Sequence, residues 1–124
     1  MLSNEAQSSS PAKLLNPVSA ANTAAATSSW EDVRDREGDL MFVVQTGSLT
    51  GSLTWTIEHA SDGSGTGAAT ITPNEGAFAA GAANQIQKRT VNAAAVAGWV
   101  RVVGTIVTGP VLVSASVHGR PKIA

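Results

Sequence analysis

Cysteine and tyrosine are both absent from this chain, and charge is scarce: Lys, Arg, Asp and Glu make up 14% of its 124 residues. Without cysteine there are no disulfides and no thiolate metal sites. The charged fraction falls short of the roughly one quarter usual in soluble domains. A net charge of −1 supplies no basic field to neutralise phosphates, so no nucleic-acid partner is expected. The adjacent basic pair Lys88-Arg89 sits in a polar, strand-like run over 85–89. No apolar run approaches the roughly 20 residues that span a bilayer. No basic region followed by an apolar stretch opens the chain, so neither a signal peptide nor a membrane contact is read.

What is present is alternation. Leu40, Phe42 and Val44 point one way and Met41, Val43 and Gln45 the other, the pattern of a central strand covered on both sides. After Gly47-Ser48-Leu49-Thr50-Gly51, one face carries Leu53, Trp55, Ile57 and His59, while Thr54, Thr56 and Glu58 form the other. Two such runs around a short Gly-bounded turn predict a β-hairpin. The stretch "SDGSGTG" over 61–67 is a turn by its chemistry. A short strand around Ile71 ends at Pro73, a small-residue loop over 73–84 is anchored by Phe78, and residues 85–92 read as a polar edge strand. Residues 93–97 predict one helical turn before Gly98.

Two β-branched strands follow, 99–107 and 111–118. The first sets Val100, Val102 and Ile106 opposite Trp99, Arg101, Val103 and Thr105. The second alternates Val111, Val113, Ala115 and Val117 with Leu112, Ser114, Ser116 and His118. The expected fold is all-β: an antiparallel sandwich of about seven or eight strands, of jelly-roll or Greek-key type. It occupies residues 30–124. Residues 1–29, broken by Ser10-Pro11 and Asn16-Pro17, are expected to form a flexible or extended arm that orders on a partner. The arm's sizeable apolar groups Leu14, Leu15 and Val18, with Trp30 at its end, are the candidate partner contacts.

Chemistry is sparse. The acids of "WEDVRDREGD" (30–39) read as a solvated strand or turn; a cation site from Asp32, Asp35 and Asp39 would match no calcium-loop spacing. His59 and His118 each end a strand, without the clustered ligands that zinc needs. No Gly-x-Ser-x-Gly elbow supports a Ser-His-Asp triad. "DGSGTG" lacks the Gly-Lys-Ser/Thr of a phosphate loop and offers calcium only Asp62. Glu58 and Glu75 are isolated acids, and nothing pairs them across a cleft for glycoside hydrolysis. No catalytic, metal or cofactor residues are assigned, and the chain is read as a non-enzyme. A carbohydrate-binding module using Trp30 or Trp99 is the alternative from another class.

Three stretches carry a resemblance: "GDLMFVVQTGSLTGSLTWTIEHASDGSG" (38–65), "NEGAF" (74–78) and "GWVRVVGTIVTGPVLVSASVHGRP" (98–121). Together with the Trp30–Val33 entry, they resemble small virion structural proteins of tailed bacteriophages. The resemblance covers most of residues 30–121; the Ser/Ala-rich arm is not matched. It implies that the strand at 99–105 pairs with the final strand. It also implies a capsid decoration (cement) protein on the head surface of the virion, made in the host cytoplasm. Such a protein bridges major capsid protein subunits and associates with copies of itself, as a homotrimer. Tail, connector or fibre components are the alternative positions within the same class.

Overall fold

An alternating strand has one face to bury, and this chain has enough of them to bury two sheets against each other. In the computed structural model, which describes residues 10–49 and 51–121, eight strands do this. They are β1 (Ser10–Ala20), β2 (Glu31–Asp32), β3 (Arg36–Leu49), β4 (Ser52–Ala60), β5 (Ala69–Ile71), β6 (Gln85–Asn92), β7 (Trp99–Thr108) and β8 (Val111–Pro121). One sheet has the order β1-β8-β3-β6 and the other β2-β7-β4-β5, with every pairing antiparallel. The chain is therefore an all-β sandwich of eight strands. A single 3-10 turn, Ala93–Ala95, stands where one helical turn is expected. Thr50 of the expected turn and residues 1–9 of the expected arm lie outside the described residues.

The inner faces carry the residues that the alternation selects. Leu40, Phe42 and Val44 on β3 and Val111, Val113 and Val117 on β8 meet Leu53, Trp55 and Ile57 on β4 and Val100 and Val102 on β7, all buried. Fully burying such side chains is worth about 1.5–3 kcal/mol each, the main stabilising contribution here.

Two expected pairings are corrected. β3 and β4 do not form a hairpin: β3 pairs with β8 and β6, and β4 with β7 and β5. The chain arches from one sheet to the other after Leu49. The same happens between β7 and β8 at Thr108-Gly109-Pro110, where the Gly109–Pro110 bond is cis. The physical reason is burial: β3 and β4 present strong apolar faces that cover each other better across the core than side by side. Among the described residues, only the β4–β5 connection, around the Asp62-Gly63 loop, stays within a sheet.

The arm boundary is corrected as well. Residues 10–20 form β1 and pair with β8 from Ser10↔Gly119 to Ala20↔Val111. Pro11 and Pro17 are accommodated because β1 is an edge strand, and its register shifts between Lys13 and Leu15 and again between Leu15 and Val18. Residues 21–30 then run along β7. Ser28 N–H donates to the Val102 carbonyl and Val102 N–H to Ser28 Oγ (3.0 Å each), while Gly104 N–H donates to the Ala26 carbonyl (3.0 Å). A Cβ on Gly104 would lie 2.9 Å from Leu53 Cδ1 and 3.0 Å from Ala26 Cβ, so glycine is what lets this segment close one side of the sandwich.

The 73–84 loop closes the other side. Its Gly81 N–H donates to the Leu53 carbonyl of β4 (2.8 Å), and its Asn74 N–H to the Thr90 carbonyl of β6 (2.8 Å). The buried Gln87 amide behaves as a piece of strand: Oε1 accepts from Ala79 N–H (2.9 Å) and Nε2 donates to the Ala79 carbonyl (3.1 Å). Phe78 seals the loop from within, under the Arg89 guanidinium.

Leu14 decides whether residues 10–20 belong to the core, since it is only 7% exposed. Leu14→Ala is expected to cost about 2 kcal/mol or more in urea unfolding. A detached arm would lose nothing on the same substitution.

Candidate functional site

Three regions hold the side chains with functional potential, and the sandwich keeps them apart. The first is on the outer face of the β2-β7-β4-β5 sheet. Here the Arg101 guanidinium lies 4.5 Å from the centre of the Trp30 ring and bonds Glu58 at 2.7 Å. Arg34 lies 5.5 Å from the Trp99 ring centre and bonds Asp32 at 2.7 Å. The loop after β4 packs on both rings: the Cβ position of Gly63 is 3.0 Å from Trp99, and that of Gly65 3.1 Å from Trp30. Gly65 also has φ +86, so a side chain there would meet strain and ring together. The two tryptophans thus clamp the Asp62 loop and two arginines, and each indole ring is already in contact on this face.

Asp62 organises that loop from inside. Its carboxylate accepts from the Thr66 hydroxyl (2.6 Å), Thr66 N–H (3.1 Å) and Ser64 N–H (2.9 Å), and the Thr66 hydroxyl is the main cause that holds its pKa below the ordinary value. Glu75 does the same for β6. It accepts from the Thr90 hydroxyl (2.6 Å) and Thr90 N–H (2.8 Å), and its pKa is lowered chiefly by that hydroxyl. Asp32 is lowered to about 2, first by its hydrogen bond to the Arg34 side chain. In the 31–39 segment, acids meet arginines: Asp35 pairs with Arg36 at 3.3 Å and Glu37 with Arg120 at 3.1 Å. Among the described residues no three of His, Asp and Glu are grouped to hold a metal ion.

The histidines are separated. His59 Nδ1 accepts the Ala97 N–H at 3.1 Å, which places the ring in the turn before β7. His118 Nε2 lies 3.0 Å from Ser116 Oγ on the outer face of the other sheet. Among the described residues no carboxylate hydrogen-bonds to His118. Glu58 and Glu75 are likewise occupied, by Arg101 and Thr90, in different parts of the fold. Near Trp55, whose buried indole N–H has no partner among the described residues, lies a cavity of about 60 Å³ that also touches Ile71 and Phe78. That is room for about two water molecules.

The third region is a groove of about 530 Å³ across the outer face of the β1-β8-β3-β6 sheet, lined by Val18, Gly47, Ile86 and Leu112 among others. The register explains it. Gln45 stands opposite both Ile86 and Ser114, and Ser19 opposite Leu112 two residues away on β8, so neighbouring rows of the outward face bring these side chains together across the four strands. A Cβ on Gly47 would sit 3.2 Å from the Leu112 Cβ, so the glycine deepens the groove beneath Leu112.

The four candidate contact residues scatter over these regions. Leu14 is in the core, and Leu15 packs against it half-buried. Trp30 is half-buried under Arg101. Val18 alone is exposed, at 37%, and lines the groove. Leu14 is thereby corrected as a surface contact: strand pairing with β8 turns it inward. Ile86 and Leu112 are exposed groove residues that the sequence reading did not single out, at 61% and 45% exposure. Their signal was the outward phase of their strands, which placed each among polar neighbours.

No protein-family model matches this chain, and no curated protein matches it.

The lowered carboxyls give a pH signature. A carboxyl depressed in the folded state adds stability above its ordinary pKa and loses it as pH falls through the folded value. Loop order at 62–67 and at Glu75–Thr90 is therefore expected to hold at neutral pH and to weaken once pH falls below the ordinary values of 3.8 and 4.5. In a carbon-13 titration Asp62 and Glu75 should titrate low. Thr66→Val and Thr90→Val should each move the corresponding carboxyl back toward its ordinary value.

Proposed function

We propose that the sandwich is a double-sheet jelly roll and that the protein is a virion structural subunit, a decoration protein that binds the outer surface of a bacteriophage head and bridges major capsid protein subunits. The observation that carries this reading is the strand order, β1-β8-β3-β6 facing β2-β7-β4-β5. That order places the first and last strands side by side and sends nearly every connection across the core, the arrangement of jelly rolls, which recur in viral capsid domains. The resemblance of residues 30–121 to phage virion proteins points the same way.

The outer surface supports the role. Its ion pairs and Asx-type loop bonds hold the protein's own loops, and beside a few exposed charges such as Lys13, Asp39 and Lys88 the rest of the surface is neutral and partly apolar. Such surface suits a subunit covered by neighbours. Many weak contacts, repeated over a symmetric shell, add up to tight retention through multivalency. The carbohydrate-binding alternative draws less support, because Trp30 and Trp99 are engaged by Arg101, Arg34 and the glycine loop.

Adding the purified, labelled protein to undecorated heads and imaging the particles tests this directly. Regular density over the whole shell is the expected result. Label confined to the tail or neck would move the protein to the tail, connector or fibre class, and no binding to any part of the particle would overturn the reading.

A further inference from the structure

Of the longer stretches without Asp, Glu, Lys or Arg, two, 63–74 and 90–100, lie among the charged residues, and four do not: 14–30, 40–57, 76–87 and 102–119. The topology gathers those four. β1, β3 and β7 run toward one end of the sandwich, and β4, β6 and β8 run away from it. The chain leaving β1, the β3–β4 arch, the approach to β6 and the Gly109–Pro110 turn all meet there. The acids and arginines of 31–39, Asp62 and Arg120 lie at the opposite end. Lys13 and Lys88 mark the boundary on one outer face: they flank the row in which Lys13 pairs with Ser116, Ser116 with Val43 and Val43 with Lys88. Arg101 and Glu58 mark it on the other.

The charge-free end is also where the exposed apolar side chains are. Val107, 82% exposed, closes β7; Leu112 follows the turn; Val18 and Ile86 complete the groove. Four large apolar residues and no charge within one half of a small protein is the composition of an interface core, not of free surface.

We propose that this charge-free end is the surface through which copies of the chain pair with one another. The occupant follows from the charge distribution. Self-association normally has to avoid setting like charges against each other, and a surface without charges meets no such penalty under any symmetry. The charged end meanwhile stays hydrated and keeps the assembly soluble. A standard interface takes about 800 Å² from each partner, roughly an eighth of this protein's 6360 Å². The proposal deepens the reading of the protein as an assembly subunit and rests on it for its role on the particle.

Sedimentation velocity on the full chain, from about 1 to 100 μM, reads the self-association without any particle. The expected result is a species heavier than the 12.5 kDa monomer. Ile86→Lys and Leu112→Lys should each weaken it by at least about 30-fold, the loss of one interface anchor. Circular dichroism should show that both variants remain folded. Thr70→Lys, on the exposed edge strand at the charged end, should leave it unchanged. Because no charge is involved, the dissociation constant should also hold between about 0.05 and 0.5 M salt. A chain that stays monomeric throughout overturns the proposal. So does a heavier species that survives both lysine substitutions, one that Thr70→Lys disrupts equally, or one that salt dissociates. Head binding by a monomeric chain would discard this interface and keep the virion reading; a self-associating chain that ignores heads would do the reverse.

Discussion

The contact between β3 and β4 across the core sets the frame for everything else. Leu40, Phe42 and Val44 face Leu53, Trp55 and Ile57, and all six are buried. Because those strands are consecutive yet lie in different sheets, the chain must turn through the thickness of the sandwich after Leu49. Once that arch is fixed, the remaining strands add to either sheet with their apolar phase already decided, and each later crossing repeats the same geometry. The outer faces are then left with what the alternation discards: threonines and serines, a few ion pairs, and the neutral side chains that line the groove.

A two-sheet body of this kind has four edges, and they are managed unequally. The edge beside β7 is covered by 21–30, and the edges of β4 and β6 by the loop that Gln87, Glu75 and Phe78 hold in place. β1 remains as a long outer strand, with Pro11, Pro17, Lys13 and two register shifts along it. These features are known ways of discouraging another strand from pairing. Association through the groove end, where side chains and not backbone are on offer, is consistent with an edge protected in this way.

Much of this was legible in the residues. The boundaries of β6, the short β5, the 3-10 turn and the inward phases of β3, β4, β7 and β8 follow from alternation and turn chemistry. What alternation does not specify is the partner. A strand of period two looks identical whether its neighbour lies beside it or across the core, so the Gly47–Gly51 region suggested a hairpin where an arch exists. β1 was hidden for a different reason. Its prolines and its single deeply buried leucine make a poor strand by propensity, and it is held by the preformed edge of β8. The groove was illegible because Val18, Ile86 and Leu112 are far apart in the chain and become one surface only through register. The lowered carboxyls at Asp62 and Glu75 depend on hydroxyls four and fifteen residues away, and only the nearer of these lies within the reach of turn rules.

The position of β8 has a consequence for timing. Among the described residues it is the last strand in chain order, yet it lies inside its sheet, with β1 on one side and β3 on the other. During synthesis, β1 and β3 emerge early with no strand between them, and that sheet stays split until residues 111–121 have left the ribosome. Nearly all pairings are between distant segments, which makes folding slow relative to helical proteins of similar size. A growing chain therefore carries the valine-lined gap that β8 will fill, open to solvent, until that strand is in place. Beside that gap the flanking strands carry charge only at Lys13, Arg36, Glu37 and Asp39, so the unfinished chain, more than the finished one, is the form that must be kept from its neighbours.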